Sequence, residues 1–178
     1  DNIIHTYIMA LEIIGPQYCA PGTMDLSIAR NVMTLTGGNF AVTDVNGNLV
    51  LKVEEKLILW GQKIKHLLDP HGNPIITFRR KVMISHTKWE VFRGESLDGK
   101  HLIFTFKGSY FDQSCIVYAG DANSNALVAE MHKTNTSGII LLTKDNFRVT
   151  INPNVDYAFI VALIVIFDDI NRKRRRVF

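Results

Sequence analysis

The chain has only two cysteines, Cys19 and Cys115, and no paired spacing between them. That excludes a disulfide framework or a cysteine zinc site as the organising principle and fits a reducing compartment. The six histidines, His5, His66, His71, His86, His101 and His132, are scattered. None falls in His-x-x-x-His or His-Glu-x-x-His spacing, so no metal site is expected. Gly-x-Ser-x-Gly is missing, and so is a Gly-x-Gly-x-x-Gly set between a strand and a helix. Gly37-Gly38 lacks the continuation of a phosphate loop. Ser114-Cys115 has no base beside it in sequence, and a buried structural cysteine is the better reading. The expectation is therefore a protein that is not an enzyme, with no catalytic residue, no cofactor and no bound metal.

Low-complexity linkers and composition breaks are also missing, and 178 residues make one domain, 1–178, with a core of its own. The chain begins at Asp1, which reads as a partial or processed chain. Residues 3–14 are moderately apolar but carry His5 and Glu12 without a basic leader, so they are not read as a signal peptide. Net charge is +3, but Arg172, Lys173, Arg174, Arg175 and Arg176 supply five positive charges. The rest carries 15 basic against 17 acidic residues, so the body is no general polyanion binder, and nucleic acid is not supported as its partner.

What the chain does have is one strongly apolar run, residues 155–167, bracketed by Asp156 and Asp168-Asp169. It is too short for a bilayer, which takes about 20 residues. A segment apolar on all sides must be surrounded by other apolar matter. The run predicts a helix through the middle of the domain. Asn152-Pro153-Asn154 supplies the start, with Asn154 as N-cap, and Asp168-Asp169 reads as a solvated stop.

Elsewhere the pattern is β. Residues 40–45 and 48–53 flank Asn46-Gly47, which predicts a tight two-residue hairpin turn with positive φ at Gly47. Residues 64–80 repeat the theme around the turn 69–74. Both turns contain Asp-x-x-Gly-Asn, which common turn chemistry explains better than an internal repeat. Further strands are expected at 88–92, 101–106, 115–118, 126–131, 138–142 and 147–151. Residues 24–36 fit a short helix or a strand equally. Many short strands at this spacing favour a barrel or sandwich.

The positive hints of function are basic. Arg79, Arg80 and Lys81 follow a strand, and Lys63 and Lys65 alternate along one face. Such residues hold anionic lipid headgroups, although ordinary solvated strand faces look the same. Residues 172–176 read as a nuclear-import or membrane-surface signal, or as a solubilising tail.

Several phrases together resemble the plant LURP-one-related family: Tyr18-Cys-Ala-Pro21, Leu35-Thr-Gly-Gly-Asn-Phe-Ala-Val-Thr-Asp-Val-Asn-Gly-Asn-Leu49, Trp89-Glu-Val-Phe-Arg-Gly94, Ser114-Cys-Ile-Val-Tyr-Ala-Gly120, Ala129-Glu-Met-His132, Lys144-Asp-Asn-Phe147 and Asn152-Pro-Asn-Val-Asp-Tyr-Ala-Phe-Ile160. They run in order over about 16–171, leaving 172–178 as a basic tail. The resemblance implies a mainly β fold: a closed or partly open antiparallel barrel of the tubby C-terminal-like kind, twelve-stranded in the family, around a central hydrophobic C-terminal helix. It implies a non-enzymatic monomer related to phospholipid scramblases. The expected roles are a membrane-tethered or phosphoinositide-binding signalling or transcription-related factor linked to plant defence. A scramblase-like lipid-handling protein and a protein–protein interaction module are the alternatives. The expected partners are anionic membrane phospholipid or proteins. The expected place is intracellular, in the cytoplasm, at the inner face of the plasma membrane or in the nucleus. Family members carry a longer segment after the Leu102-Ile-Phe-Thr-Phe106 strand, where Lys107 here leads almost directly to Gly108-Ser-Tyr-Phe111. Either two or three strands are absent, or this sequence omits a stretch; if they are absent, the barrel is expected to be open or distorted along one side.

Overall fold

The computed structural model describes residues 12–30, 39–58, 63–82, 87–108, 114–119, 127–132, 140–142 and 146–174. Among the described residues eleven strands form one antiparallel sheet: β1 Met24–Arg30, β2 Phe40–Thr43, β3 Leu49–Leu57, β4 Lys63–Leu68, β5 Pro74–Val82, β6 Thr87–Arg93, β7 Leu102–Gly108, β8 Ser114–Ala119, β9 Leu127–His132, β10 Ile140–Leu142 and β11 Asn146–Ile151. β1 to β9 lie side by side in chain order. β11 returns to pair with β1, and β10 lies outside it. One α-helix among the described residues, α1 Tyr157–Arg174, follows.

The inner face is set by period-two alternation. Leu26 and Ile28, Phe40 and Val42, Leu51 and Val53, Ile76 and Phe78, Trp89 and Val91, and Phe104 and Phe106 are all buried in one cluster with α1. Of residues 158–166, all but Ile160 are buried. Edge-on ring contacts tie the helix to the wall: Phe159 to Phe104 at 5.1 Å and Phe167 to Phe106 at 5.5 Å. A helix buried on every side is what the apolar run requires.

The helix differs from expectation at both ends. Asn154 is not the N-cap. It has φ 62°, a left-handed turn conformation that Asn tolerates. The cap is Asp156, whose Oδ1 accepts the Phe159 N–H at 3.0 Å. Its Oδ2 accepts the N–H of Ile14 at 2.7 Å and of Gly15 at 3.2 Å, and the residue is fully buried. Tyr18 meets Tyr157 edge-on at 5.6 Å. Asp156 thus ties the segment leading into β1 to the start of the helix. At the other end, Asp168-Asp169 does not stop the helix. Both lie within it, engaged by cations of the wall, and the backbone stays helical through Arg172, Lys173 and Arg174. Arg175 and Arg176 lie outside the described residues.

Both hairpin turns share one geometry, which is not the two-residue turn expected. Asp44 N–H donates to Asn48 O at 3.0 Å, and Gly47 N–H donates to Asp44 O at 3.1 Å. The Asp44 carboxylate accepts the N–H of Asn46 at 2.9 Å and of Asn48 at 2.8 Å. Asp69 and Asn73 repeat this, with matching backbone bonds and the Asn73 N–H at 2.8 Å. Gly47 and Gly72 have φ 83° and 93°, whereas no positive φ occurs at Asn46. The extra residue appears as a register shift after Val42 and again after Leu67. The aspartate side chain thus organises a three-residue loop with a bulge, which a positive φ at glycine closes.

The strands expected after β5 are present, and residues 24–30 are strand rather than helix. Residues 31–36 lie outside the described residues. The sheet is not closed, but the break is not at Lys107. β7 and β8 pair directly, with Gly108 opposite Cys115 and Phe104 opposite Ala119. Among the described residues the two edges are β9 and β10. With eleven antiparallel strands these edges run in the same direction, so they cannot meet as one more antiparallel pair.

Two outcomes test this description. Gly47→Val should lower stability by about 1 kcal/mol or more in urea unfolding. Space around a Cβ there is open, so the loss would come from φ alone. Asp156→Ala leaves three backbone donors without their acceptor and removes a cap. A loss of about 3–5 kcal/mol is expected, and one below 1 kcal/mol would refute the role given to Asp156.

Candidate functional site

α1 begins beside Ile14, Gly15 and Tyr18 and ends beside Arg30, the last residue of β1. The barrel therefore has an entry rim, with the two aspartate turns, and an exit mouth. At the mouth the wall turns charged. Alternation puts Lys63 and Lys65 on the face of Leu67, and Glu55 on the face of Leu51 and Val53. Lys65 is 3% exposed. Its Nζ lies 3.2 Å from Asp169 Oδ1 and 3.6 Å from Glu55 Oε2. Lys63 Nζ lies 2.8 Å from Glu55 Oε1, with its side chain 49% exposed. Arg30 pairs with Asp168, both side chains buried, and its guanidinium stands 4.7 Å over the Phe40 ring. Every buried carboxylate here has a cation, as the cost of burying an unpaired charge demands.

The second group lies on the outer face of β5 and β6, towards the same mouth. Arg79 stands opposite Glu90, and Lys81 opposite Lys88. Arg79 Nε and Nη2 reach Glu90 Oε2 at 3.0 and 2.6 Å. Lys81 Nζ reaches Oε1 at 3.0 Å and Lys88 Nζ at 3.3 Å. The Arg79 guanidinium also lies 4.9 Å over the Phe92 ring. Burial alone would raise the Glu90 carboxyl, but the Arg79 and Lys81 hydrogen bonds and charges outweigh it and hold it below its ordinary value.

The five cations named from the sequence are therefore not one surface. Arg79 and Lys81 share the outer face. Arg80 falls on the side of Ile76 and Phe78, opposite Trp89. Lys63 is at the mouth, and Lys65 is buried beyond the reach of any headgroup. Lys88 and Glu90 complete the outer group. Strand alternation across β5 and β6 was the signal that could have found them.

A third polar chain crosses the outer face. Thr77 Oγ1 donates to Gly94 O at 2.6 Å, which uses its one proton. The 2.9 Å contact to His66 Nδ1 then needs the proton on Nδ1. Burial first, and then the Lys56 charge, push His66 below its ordinary value. Among the described residues no group of histidine, cysteine and carboxylate side chains is placed to hold a metal ion. The Cys115 side chain lies outside the described residues.

Comparison with known proteins follows this geometry. Residues 24–107 and 102–168 match the profile of the LURP-one-related family. Protein LURP-one-related 10 of Arabidopsis thaliana is 46% identical over 193 residues, covering 92% of this chain and 98% of that protein. Protein LURP-one-related 15 of the same plant is 43% identical over 192 residues, covering 92% and 87%. Those alignments are longer than this 178-residue chain, so the relatives carry residues without a counterpart here. The two matched blocks overlap over residues 102–107, within β7. An X-ray structure of an Arabidopsis thaliana protein is 39% identical, with TM-score 0.57, covering 89% of this chain and 98% of that one.

His66 carries a prediction of pH dependence. The unfolded chain takes up a proton near pH ~6.5, whereas the folded state resists it until lower pH. The unfolded state thus holds more protons in that window, and stability falls as pH drops below about 6.5. Urea midpoints measured from pH 7 to 5 should decline less steeply in His66→Gln. An unchanged slope would refute the assignment.

Proposed function

This chain belongs to the LURP-one-related family, and from that premise we propose that it is a non-enzymatic binding module whose outer basic group takes anionic lipid headgroups. The observation that carries the reading is the sharing of Glu90. Arg79 and Lys81 both draw on this one carboxylate, and Lys88 approaches the same oxygen as Lys81. The local charge is positive, the Arg79 guanidinium is braced on Phe92, and a phosphate oxygen could join the same donors. Such a set is suited to holding an anion rather than to moving a proton.

A scramblase-like mode, with α1 entering the bilayer, is less favoured. The apolar part of α1 is wrapped by the wall, and no helix among the described residues is long and apolar enough to cross a membrane. In this proposal the protein acts in plant signalling or defence as a factor held at a membrane surface, and protein-partner binding is the reading that replaces it on failure.

Exposed charges are screened within ~8 Å at physiological salt, so the contact should be weak and salt-sensitive. In flotation with phosphoinositide liposomes, binding should be detectable at low salt and fade by physiological salt. Arg79→Ala with Lys81→Ala should remove it. Lys81→Ala alone, which leaves Arg79 on Glu90, should weaken it. No flotation at low salt, or wild-type flotation in both variants, would hand the site to a protein partner.

A further inference from the structure

Charge is distributed unevenly along the barrel axis. Lys63, Arg79, Lys81, Lys88 and Lys107 lie in the halves of β4, β5, β6 and β7 nearest the exit mouth. Of the carboxylates there, Glu55, Glu90, Asp168 and Asp169 are each engaged by a cation, and Glu54 lies on the other face of β3 opposite His66. The helix continues five residues past Asp169, about 7.5 Å at ~1.5 Å per residue. Its last described residues, Arg172, Lys173 and Arg174, therefore stand at that end. The entry rim has no such excess of cations. Asp44, Asp69 and Asp98 sit there in exposed turns, with Asp25 near the start of β1. Arg148, which lines one pocket with Asp25 and Asp44, and Lys52, Lys100 and Arg93 are cations among them, and Arg93 donates to Ile14 O at 2.7 Å.

We propose that the exit mouth is the face that settles on an anionic lipid surface, with the helix steep to the membrane. The proposal rests on the headgroup-binding reading and adds to it an orientation and a second set of contacts. Leu57 ends β3 at this mouth, 63% exposed, directly opposite Lys63, whose side chain is 49% exposed. An exposed apolar side chain beside a long cation suits the headgroup boundary, where one enters the acyl edge and the other stays among phosphates. A nucleic acid would accept the cations but gives Leu57 no apolar place. The entry rim, where cations and carboxylates nearly balance, gives the inverted orientation no comparable attraction.

The test uses Leu57→Cys and Val45→Cys, each in a Cys19→Ser, Cys115→Ser background with its fold checked by circular dichroism. Val45, 76% exposed in the Asp44 turn, marks the entry rim. Each carries a polarity-sensitive dye and meets phosphatidylcholine vesicles with or without phosphatidylserine. A blue shift confined to Leu57→Cys on anionic vesicles supports the orientation. Equal shifts, or a shift confined to Val45→Cys, overturn it while leaving lipid binding intact. A second arm keeps both native cysteines. Arg172→Ala, Lys173→Ala and Arg174→Ala together should weaken vesicle binding at least tenfold at low salt, since each cation near an anionic surface is worth about fivefold. Lys100→Ala should leave it unchanged. Normal vesicle binding by the triple variant overturns the proposal. Binding to duplex DNA without any dye response on vesicles would give the mouth to a nucleic acid and also overturn it. If the wild-type protein itself fails to float, the headgroup reading falls, and the orientation falls with it.

Discussion

The rest of this structure depends on hiding a helix that is apolar on every side. Val161 to Ile166 has no face that could meet water, and a helix of this kind has no amphipathic stripe with which to choose a partner. A single packed layer would cover half of it. Wrapping it takes a curved wall, and the wall's inner positions are the buried members of each strand alternation. The aromatic wall residues Phe104 and Phe106 meet Phe159 and Phe167, so wall and helix are mutually required.

An apolar cylinder in an apolar sleeve has little to fix its position along the axis, because burial is non-directional. Aspartates at the two ends supply that fix by different chemistry. Asp156 is held by backbone N–H groups alone, at the end where the helix dipole also favours a negative charge. Asp168 and Asp169 are held by Arg30 and Lys65 of the wall. Sliding the helix by one turn would strand buried charge at either end. The ion pairs therefore act more as a register device than as a source of stability. Not every polar group is so placed. The Trp89 indole N–H is buried and finds no partner among the described residues.

Much of this was legible in the sequence because it is periodic or local. The apolar run, the alternating strands and the glycine turns follow from residue order alone. The errors were all non-local or one level finer. Asn154 looked like the cap by residue type, but a turn two residues long intervenes and hands the role to Asp156. Asp168-Asp169 looked like a stop because Arg30 lies 138 residues away in sequence and Lys65 lies 104 from Asp169. Arg79-Arg80-Lys81 looked like one patch because adjacency in sequence hides the opposite facing of neighbours in a strand. Glu90, the centre of the outer group, was legible as an outward position but not as a shared partner. What the barrel binds is not written in any local pattern, because it depends on which faces the folded wall brings to one end.

The direct pairing of β7 with β8 bears on how such a wall can shrink. The chain lacks residues that its relatives carry, yet neighbouring strands across the β7–β8 junction still run in opposite directions. Directions alternate across an antiparallel wall, so excising one strand, or three, would reverse everything downstream and send the helix in from the wrong end. Strands can leave only in pairs, a hairpin at a time. A shortening at Lys107 is therefore quantised. Loss of two strands at that point keeps the downstream directions, whereas loss of three would reverse them.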